Sequence, residues 1–322
     1  MTVIPRNESK PGDWPELPWN DWSATAATLH LWTQIVGKLR LARMPWYNHS
    51  WHVALYPTAR GLTTGPIAFN GRVAELRFDF IEHQLLIEMH DGSARHVSLR
   101  DRSVADFYRA VMDNLAQLEL DASIHTTPSE IADAIPFHED DTHHHYDPEF
   151  AHRFHRAILQ IHRVFSEFRA GFMGKVSPVH FFWGSFDIAV TRFSGRSAPV
   201  HPGGVPNFPD WVAQEAYSHE VSSAGFWPGG GGIDFPAFYS YAYPAPAGFP
   251  DARVEPADAF FSAELGEFIL PYDAVRTAAS PDAALLEFLE TTYEAAATLG
   301  EWDRERLERP WGGFGDAASR PG

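Results

Sequence analysis

One order of elements, read twice, constrains this chain more than any other feature. Residues 21–118 predict a helix, extended strands and a capped helix, and residues 147–299 predict that order again with longer insertions. In the first helix Leu29, Trp32, Val36 and Leu39 recur at helical spacing, and in the second Phe154, Ile158, Ile161, Phe165, Phe168 and Phe172 do so. Aligning Leu39-Arg40 with Phe168-Arg169 keeps four apolar positions in phase. A proline-containing turn follows each helix (Pro45; Pro178), then a histidine-led strand that ends in arginine, His49 to Arg60 and His180 to Arg192. The expected fold is α+β: two pseudo-symmetric repeats, each an antiparallel sheet flanked by an N-terminal and a C-terminal helix. Related strands about a pseudo-twofold axis would frame a shared pocket.

Composition narrows the partners. Lys and Arg number 25 against 42 Asp and Glu, a net charge of −17, which repels a nucleic-acid backbone and an anionic membrane. With no cysteine, disulfides, thiolate nucleophiles and Cys-ligated metal centres are excluded. The N-terminal segment has no apolar signal core, and no run approaches the ~20 apolar residues that span a bilayer, so cytoplasmic residence is expected.

Five segments are expected. Residues 1–20 form a Pro- and Trp-rich arm whose Trp14 and Trp19 dock on the body. The first repeat, 21–118, starts at an Asp21 or Ser23 cap and continues through strands His49–Thr58, Val73–Phe80, Gln84–Met89 and Ala94–Leu99, with a tight turn at Asp91-Gly92. Ser103 caps its second helix. A polar connector follows at 119–146. The second repeat, 147–305, opens with Asp147 capping a helix whose first residue is Pro148, then places strands at His180–Phe193, Glu220–Trp227, Ala237–Tyr243 and Glu267–Tyr272. Residues 306–322 carry no periodic pattern and are expected to be a disordered tail.

The strings HLWTQIVGKLRL, NHSWHVALYPTARGLTT, SPVHFFWGSFDIAVTRFSGR, HPGGVPN, YSHEVSSAGFWPGGGG and ELGEFILPYDAVR stand in order along the chain. Across residues 14 to 305 the sequence closely resembles a bacterial family catalogued as domain of unknown function 5996. That resemblance implies no activity and carries over no catalytic residue.

The strand from His180 is the best candidate for chemistry, because alternation splits it into unlike faces. Phe182, Phe186, Ile188 and Val190 point to a core, while Trp183, Ser185, Asp187 and Thr191 form a polar face with an aromatic wall. A carboxylate inside an apolar strand must be solvated, hydrogen-bonded or paired. In the corresponding first-repeat strand Ser50, His52, Tyr56, Thr58 and Arg60 share a face. Arg60 and Arg192 could offer bidentate contacts to an anion or pair with the abundant carboxylates. His219 and Glu220 precede a run of four glycines, Gly229 to Gly232, that reads as an anion nest or a plain loop. Tyr239, Tyr241 and Tyr243 share a face suited to a pocket wall.

The connector histidines, His138, His143, His144 and His145 among acidic residues, suggest metal, yet adjacent histidines rarely converge on one ion and no HExxH occurs. The sequence thus specifies neither a metal nor a cofactor, and leaves the oligomeric state open. The expectation is a small-molecule pocket protein, leaning to an enzyme that uses acid–base or metal-assisted chemistry on a small, anionic substrate. His180, Asp187, His219 and Glu220 are the candidate catalytic groups. His52, Tyr56, Arg60, Trp183, Ser185, Arg192 and Tyr241 are the candidate ligand contacts. The opposing reading is a non-catalytic ligand-binding or protein-interaction module.

Overall fold

A computed structural model of the chain describes residues 9–309. Every residue from Leu31 to Arg40 is buried, so the helix α1 (Trp19–Arg43) is an interior element, packed on all sides rather than along one stripe. It begins ahead of Asp21 and Ser23, the residues expected to cap it. The amides of Asp21 and Trp22 donate to the Pro18 carbonyl, and Asp21 instead sits in the first turn, where the helix dipole favours its charge.

Five strands follow as a meander: β1 (Tyr56–Thr58), β2 (Gly61–Phe69), β3 (Arg72–Asp79), β4 (Gln84–Met89) and β5 (Ala94–Ser98). The helix α2 (Val104–Gln117) closes this half, its Ser103 hydroxyl accepting the Asp106 amide at 3.1 Å. The expected strand His49–Thr58 is largely absent, because His49 and Ser50 both adopt φ of 57° and turn the chain; only Tyr56–Thr58 pairs. β2 was not expected. Its Thr64-Gly65-Pro66 stretch reads as a breaker but forms a bulge against β3, a place where a sheet tolerates proline.

The second half begins with α3 (Pro148–Ala170), where the Asp147 carboxylate accepts the amides of Glu149 and Phe150. Six strands then form an antiparallel sheet in the order β10-β11-β9-β8-β7-β6: β6 (His180–Phe182), β7 (Asp187–Ser197), β8 (His219–Trp227), β9 (Ala237–Tyr243), β10 (Phe260–Ser262) and β11 (Glu267–Pro271). A short helix α4 (Asp210–Ala216) lies between β7 and β8; α5 (Tyr272–Arg276), α6 (Pro281–Leu299) and α7 (Arg304–Leu307) complete the order. The single strand expected from His180 to Phe193 is a hairpin. Phe182 pairs with Asp187, and Phe186 makes the turn with φ of 58°.

One hydrophobic core runs through both halves. Ile188, Val190, Phe226, Phe238 and Leu270 cover one face of the second sheet and meet Phe165 and Phe168 of α3 and Phe288 of α6 within it. The sheets join at their edges, where Leu55 and Phe181 exchange both backbone hydrogen bonds, at 2.9 and 2.8 Å. Trp14 of the arm is buried against Tyr272; residues 1–8 lie outside the described residues. Of the segment expected to be a tail, Arg306 and Leu307 belong to α7 and Glu308 bridges back to Phe172, while 310–322 lie outside the described residues. No helix among the described residues is long and apolar enough to cross a membrane.

Candidate functional site

The face of the second sheet turned away from α3 and α6 is the floor of a cavity of 470 Å³. Strand alternation sets what it shows: Asp187, Ala189, Thr191 and Phe193 from β7, Val221, Ser223 and Trp227 from β8, Tyr239 and Tyr241 from β9, and Glu267 from β11. Ala189, Gly225, Tyr239 and Ile269 lie in one row across the four strands. Gly225 is the vacancy in that row. A Cβ there would overlap the Cζ and hydroxyl of Tyr239, so glycine lets the ring lie across β8 and donate its hydroxyl to Asp187 Oδ2 on β7. In the next row Thr191 and Ser223 share a hydrogen bond of 2.8 Å, and the Tyr241 hydroxyl bonds that of Tyr217 at 2.8 Å.

The walls come from outside this sheet. Trp46, His49, Ser50, Trp51 and Val53 descend from the segment after α1, Glu130 comes from the connector, and the loop before α4 adds His201, Phe208 and Pro209. Trp46 and Trp211 stand at the edge, 41% and 55% exposed, with ring centroids 4.7 Å apart. Glu130 is delivered by a grip on its neighbour. Gln34 of α1 holds both backbone groups of Ser129, at 2.8 and 3.0 Å, and Lys38 Nζ donates to the Ser129 hydroxyl at 3.0 Å. His49, Ser50 and Glu130 line the cavity with left-handed backbone, and Phe186, also left-handed, precedes Asp187. Such conformations cost roughly 1–3 kcal/mol each in non-glycine residues and collect at functional sites.

Electrostatically the site is a set of carboxyls held away from water. Burial pushes Asp187 up to about 7, opposed by the Tyr239 hydrogen bond and reinforced by the nearby Glu130 charge. Glu267 is pushed up to about 8 by burial and then by Asp187. Burial also raises Glu130, whose carboxylate accepts the Ser185 hydroxyl at 2.7 Å. Asp187 Oδ1 and Glu267 Oε2 are buried without a hydrogen-bond partner, an unusual state for carboxyl oxygens. His180 donates from Nδ1 to the Pro178 carbonyl at 2.7 Å, burial holds it neutral at about 4, and its Nε2 is also unpartnered. His49 donates from Nδ1 to the Ala216 carbonyl and accepts Lys175 Nζ at 2.5 Å.

Of the residues expected from the sequence, the structure brings His180, Asp187, Trp183, Ser185 and Tyr241 together in this cavity. Trp183 and Ser185 arrive from the hairpin turn instead of a continuous strand. The others lie outside the lining. Glu220 faces the opposite side of β8 and pairs with Arg196 at 2.7 Å, and His219 sits at the start of β8 beside Ser218. Arg192 points into the core, its guanidinium 3.4 Å from the Phe168 ring centroid and 3.3 Å from Glu290. Arg60 pairs with Asp79 at 2.6 Å, Tyr56 lies beneath Arg40, and His52 is buried behind Trp46. Gly229 and Gly230 pack on the Trp19 ring rather than on the cavity. In the connector, buried Asp140 ties down the histidine tract by accepting the amides of Thr142 and His143 and the His143 ring. Among the described residues no group of three or more His, Cys, Asp or Glu side chains is placed to hold a metal ion.

Sequence reasoning missed Glu267, Glu130 and the Asp187–Tyr239 pair. Glu267 carried the same signal as Asp187, an acidic residue at the head of an apolar strand. Glu130 carried none, since the irregular connector has no periodicity.

Fold and site together define an α+β protein with a carboxyl-rich and aromatic cavity over one of two antiparallel sheets. The chain belongs to the family of unknown function DUF5996, which matches residues 14–309. No curated protein and no solved structure matches it.

Proposed function

We propose that this protein binds a small molecule in the cavity and acts on it by acid–base chemistry, with Asp187 as the group that exchanges the proton. One observation carries this reading. Asp187 lines the cavity and is 4% exposed, one carboxyl oxygen is held by Tyr239, and the other is buried without a partner. A carboxyl poised near neutral pH is suited to both taking and giving a proton. Tyr239 holds its orientation, and His180 Nε2 offers a second acceptor. The alternative, a non-catalytic binding module, draws on the exposed Trp46–Trp211 pair at the edge. The cavity lining carries no arginine or lysine among the described residues, which speaks against the anionic substrate expected from the sequence.

The test is incubation of the protein with a cellular small-molecule extract, followed by mass spectrometry of what is retained and what is consumed. The wild type should retain or convert a component that Asp187→Asn leaves alone. Equal behaviour of the two proteins, or no retained and no converted component, would overturn the proposal.

We also infer that the halves arose by duplication. Each runs helix, meander, helix; β11 takes the place of β5, with α4 and β10 as insertions. Arg40 Nε donates to the His52 carbonyl at 2.7 Å and Arg169 Nε to the Ser177 carbonyl at 2.6 Å, each after its own helix. Superposing 21–118 on 147–299 should lay α3 on α1 with Arg169 on Arg40. A mismatch in strand order under that superposition would refute it.

A further inference from the structure

We propose that the ligand is a cation, a small amine whose ammonium group sits among Asp187, Glu267 and Glu130 while its apolar body lies against Trp227 and Tyr239. This rests on the reading of the cavity as a ligand site and names the class of molecule it takes.

The lining itself states what is missing. It holds three carboxyls and no cationic side chain among the described residues. Of the nearby cations, Arg192 pairs with Glu290 and Arg196 with Glu220, while Lys175 and Lys38 donate to the wall residues His49 and Ser129 from outside the lining. The two unpartnered oxygens, Asp187 Oδ1 and Glu267 Oε2, are acceptors once ionised and need a donor from outside the chain. An ammonium brings three donors and a positive charge, which meets both needs. An anion would bring neither and would face three carboxyls.

The aromatic surface fits the same guest. Trp227 and Tyr239 have centroids 4.3 Å apart, and Tyr239 and Tyr241 stack at 6.1 Å. Ring faces attract a cation beside them, most strongly when it is desolvated. The 470 Å³ cavity is of the size that encloses a small organic molecule. Of the other titratable groups around the carboxyls, His49 and His180 are kept neutral by burial, and Tyr217, Tyr239 and Tyr241 keep their hydroxyl protons for the same reason, so these add no cation.

Isothermal titration with two isosteric series separates charge from shape. The probes are phenethylamine, 2-phenylethanol and phenylacetate, and hexylamine, hexanol and hexanoate. The amine of at least one series should bind about tenfold or more tighter than its alcohol, and the acids should not bind. Glu267→Gln, which keeps the shape and removes one ionisable carboxyl, should shrink the preference for amine over alcohol. Alcohols or acids that bind as well as the amines would overturn the charge inference and leave the cavity reading standing. Failure of all six probes would sink both. An amine preference unchanged in Glu267→Gln and in Asp187→Asn would also overturn the inference, because the cation would then be seated elsewhere.

Discussion

The hydroxyl of Tyr239 reaches across an entire strand to donate to the carboxyl of Asp187, and it does so over Gly225, the one residue between them without a side chain. Three strands thus contribute one element each to a single contact. None of the three has a meaning by itself.

Gly225 should therefore be intolerant of any side chain. Gly225→Ala would drive the Tyr239 ring off the sheet and cost about 1–3 kcal/mol by overpacking, with loss of ligand binding. Combining it with Tyr239→Ala, which vacates the space, should recover stability without recovering binding. Denaturant unfolding and titration of the single and double variants would show whether the two positions are coupled in this way.

Tyr239→Phe removes the donor and keeps the ring. The hydrogen bond from Tyr239 opposes the upward push of burial on Asp187, so its loss should move Asp187 ionisation to higher pH. Infrared spectroscopy of the protonated carboxyl stretch across a pH series would register that shift. A titration unchanged from wild type would mean that the bond does not hold the charged form.

Stability should fall as pH rises from about 6.5 to about 8. Asp187 at about 7 and Glu267 at about 8 keep, in the folded chain, protons that the unfolded chain has already released. Each contributes stability that is fully present only below its unfolded value and is lost progressively as pH rises to its folded value, at most roughly 1.4 kcal/mol per pH unit for each group. Buried histidines such as His30 and His180, both lowered to about 4, act in the opposite sense, but their effect is complete by about pH 6.5. Melting temperatures in this window should decline in the wild type and decline less steeply in Asp187→Asn, where Glu267 still contributes. A decline of equal slope in both would remove Asp187 as its source.

Arg192 should prove structural. Its guanidinium lies between Phe168 and Tyr293 and pairs with Glu290 behind the sheet, so Arg192→Ala should cost roughly 3–5 kcal/mol while binding by the folded fraction stays intact. Chemical denaturation and titration of one sample answer both parts. Weakened binding at full folding would place Arg192 in contact with the ligand after all.

The legible parts of this fold were those governed by local chemistry. Asp147 with Pro148, and Ser103 with Asp106, mark helix starts because the side chain and the amides it satisfies lie within a few residues. Alternation placed Asp187 and Tyr241 on the cavity face, but parity does not carry through the hairpin turn at Phe186, so Phe182, expected on the core face, pairs with Asp187 and lines the cavity beside it. What failed was whatever depends on backbone sign or on distant partners. Nothing in the string NHSW announces two successive left-handed residues, and β2 hid behind Thr64-Gly65-Pro66. Arginine invited the reading of a ligand contact at Arg60 and Arg192, yet Asp79 and Glu290, each distant in sequence, already engage both. Glu130 reaches its place through distant partners such as Gln34, ninety-five residues away from Ser129.

That grip by Gln34 makes the two halves unequal partners. The second supplies the floor and two of the three acids, but the third acid is carried by an irregular segment of the connector clasped to a helix of the first, and the wall from Trp46 to Val53 belongs to the first as well. Residues 147–309 expressed alone would present an open, half-furnished tray rather than a chamber. The first half, whose own sheet builds none of this cavity, acts as its cover and clamp.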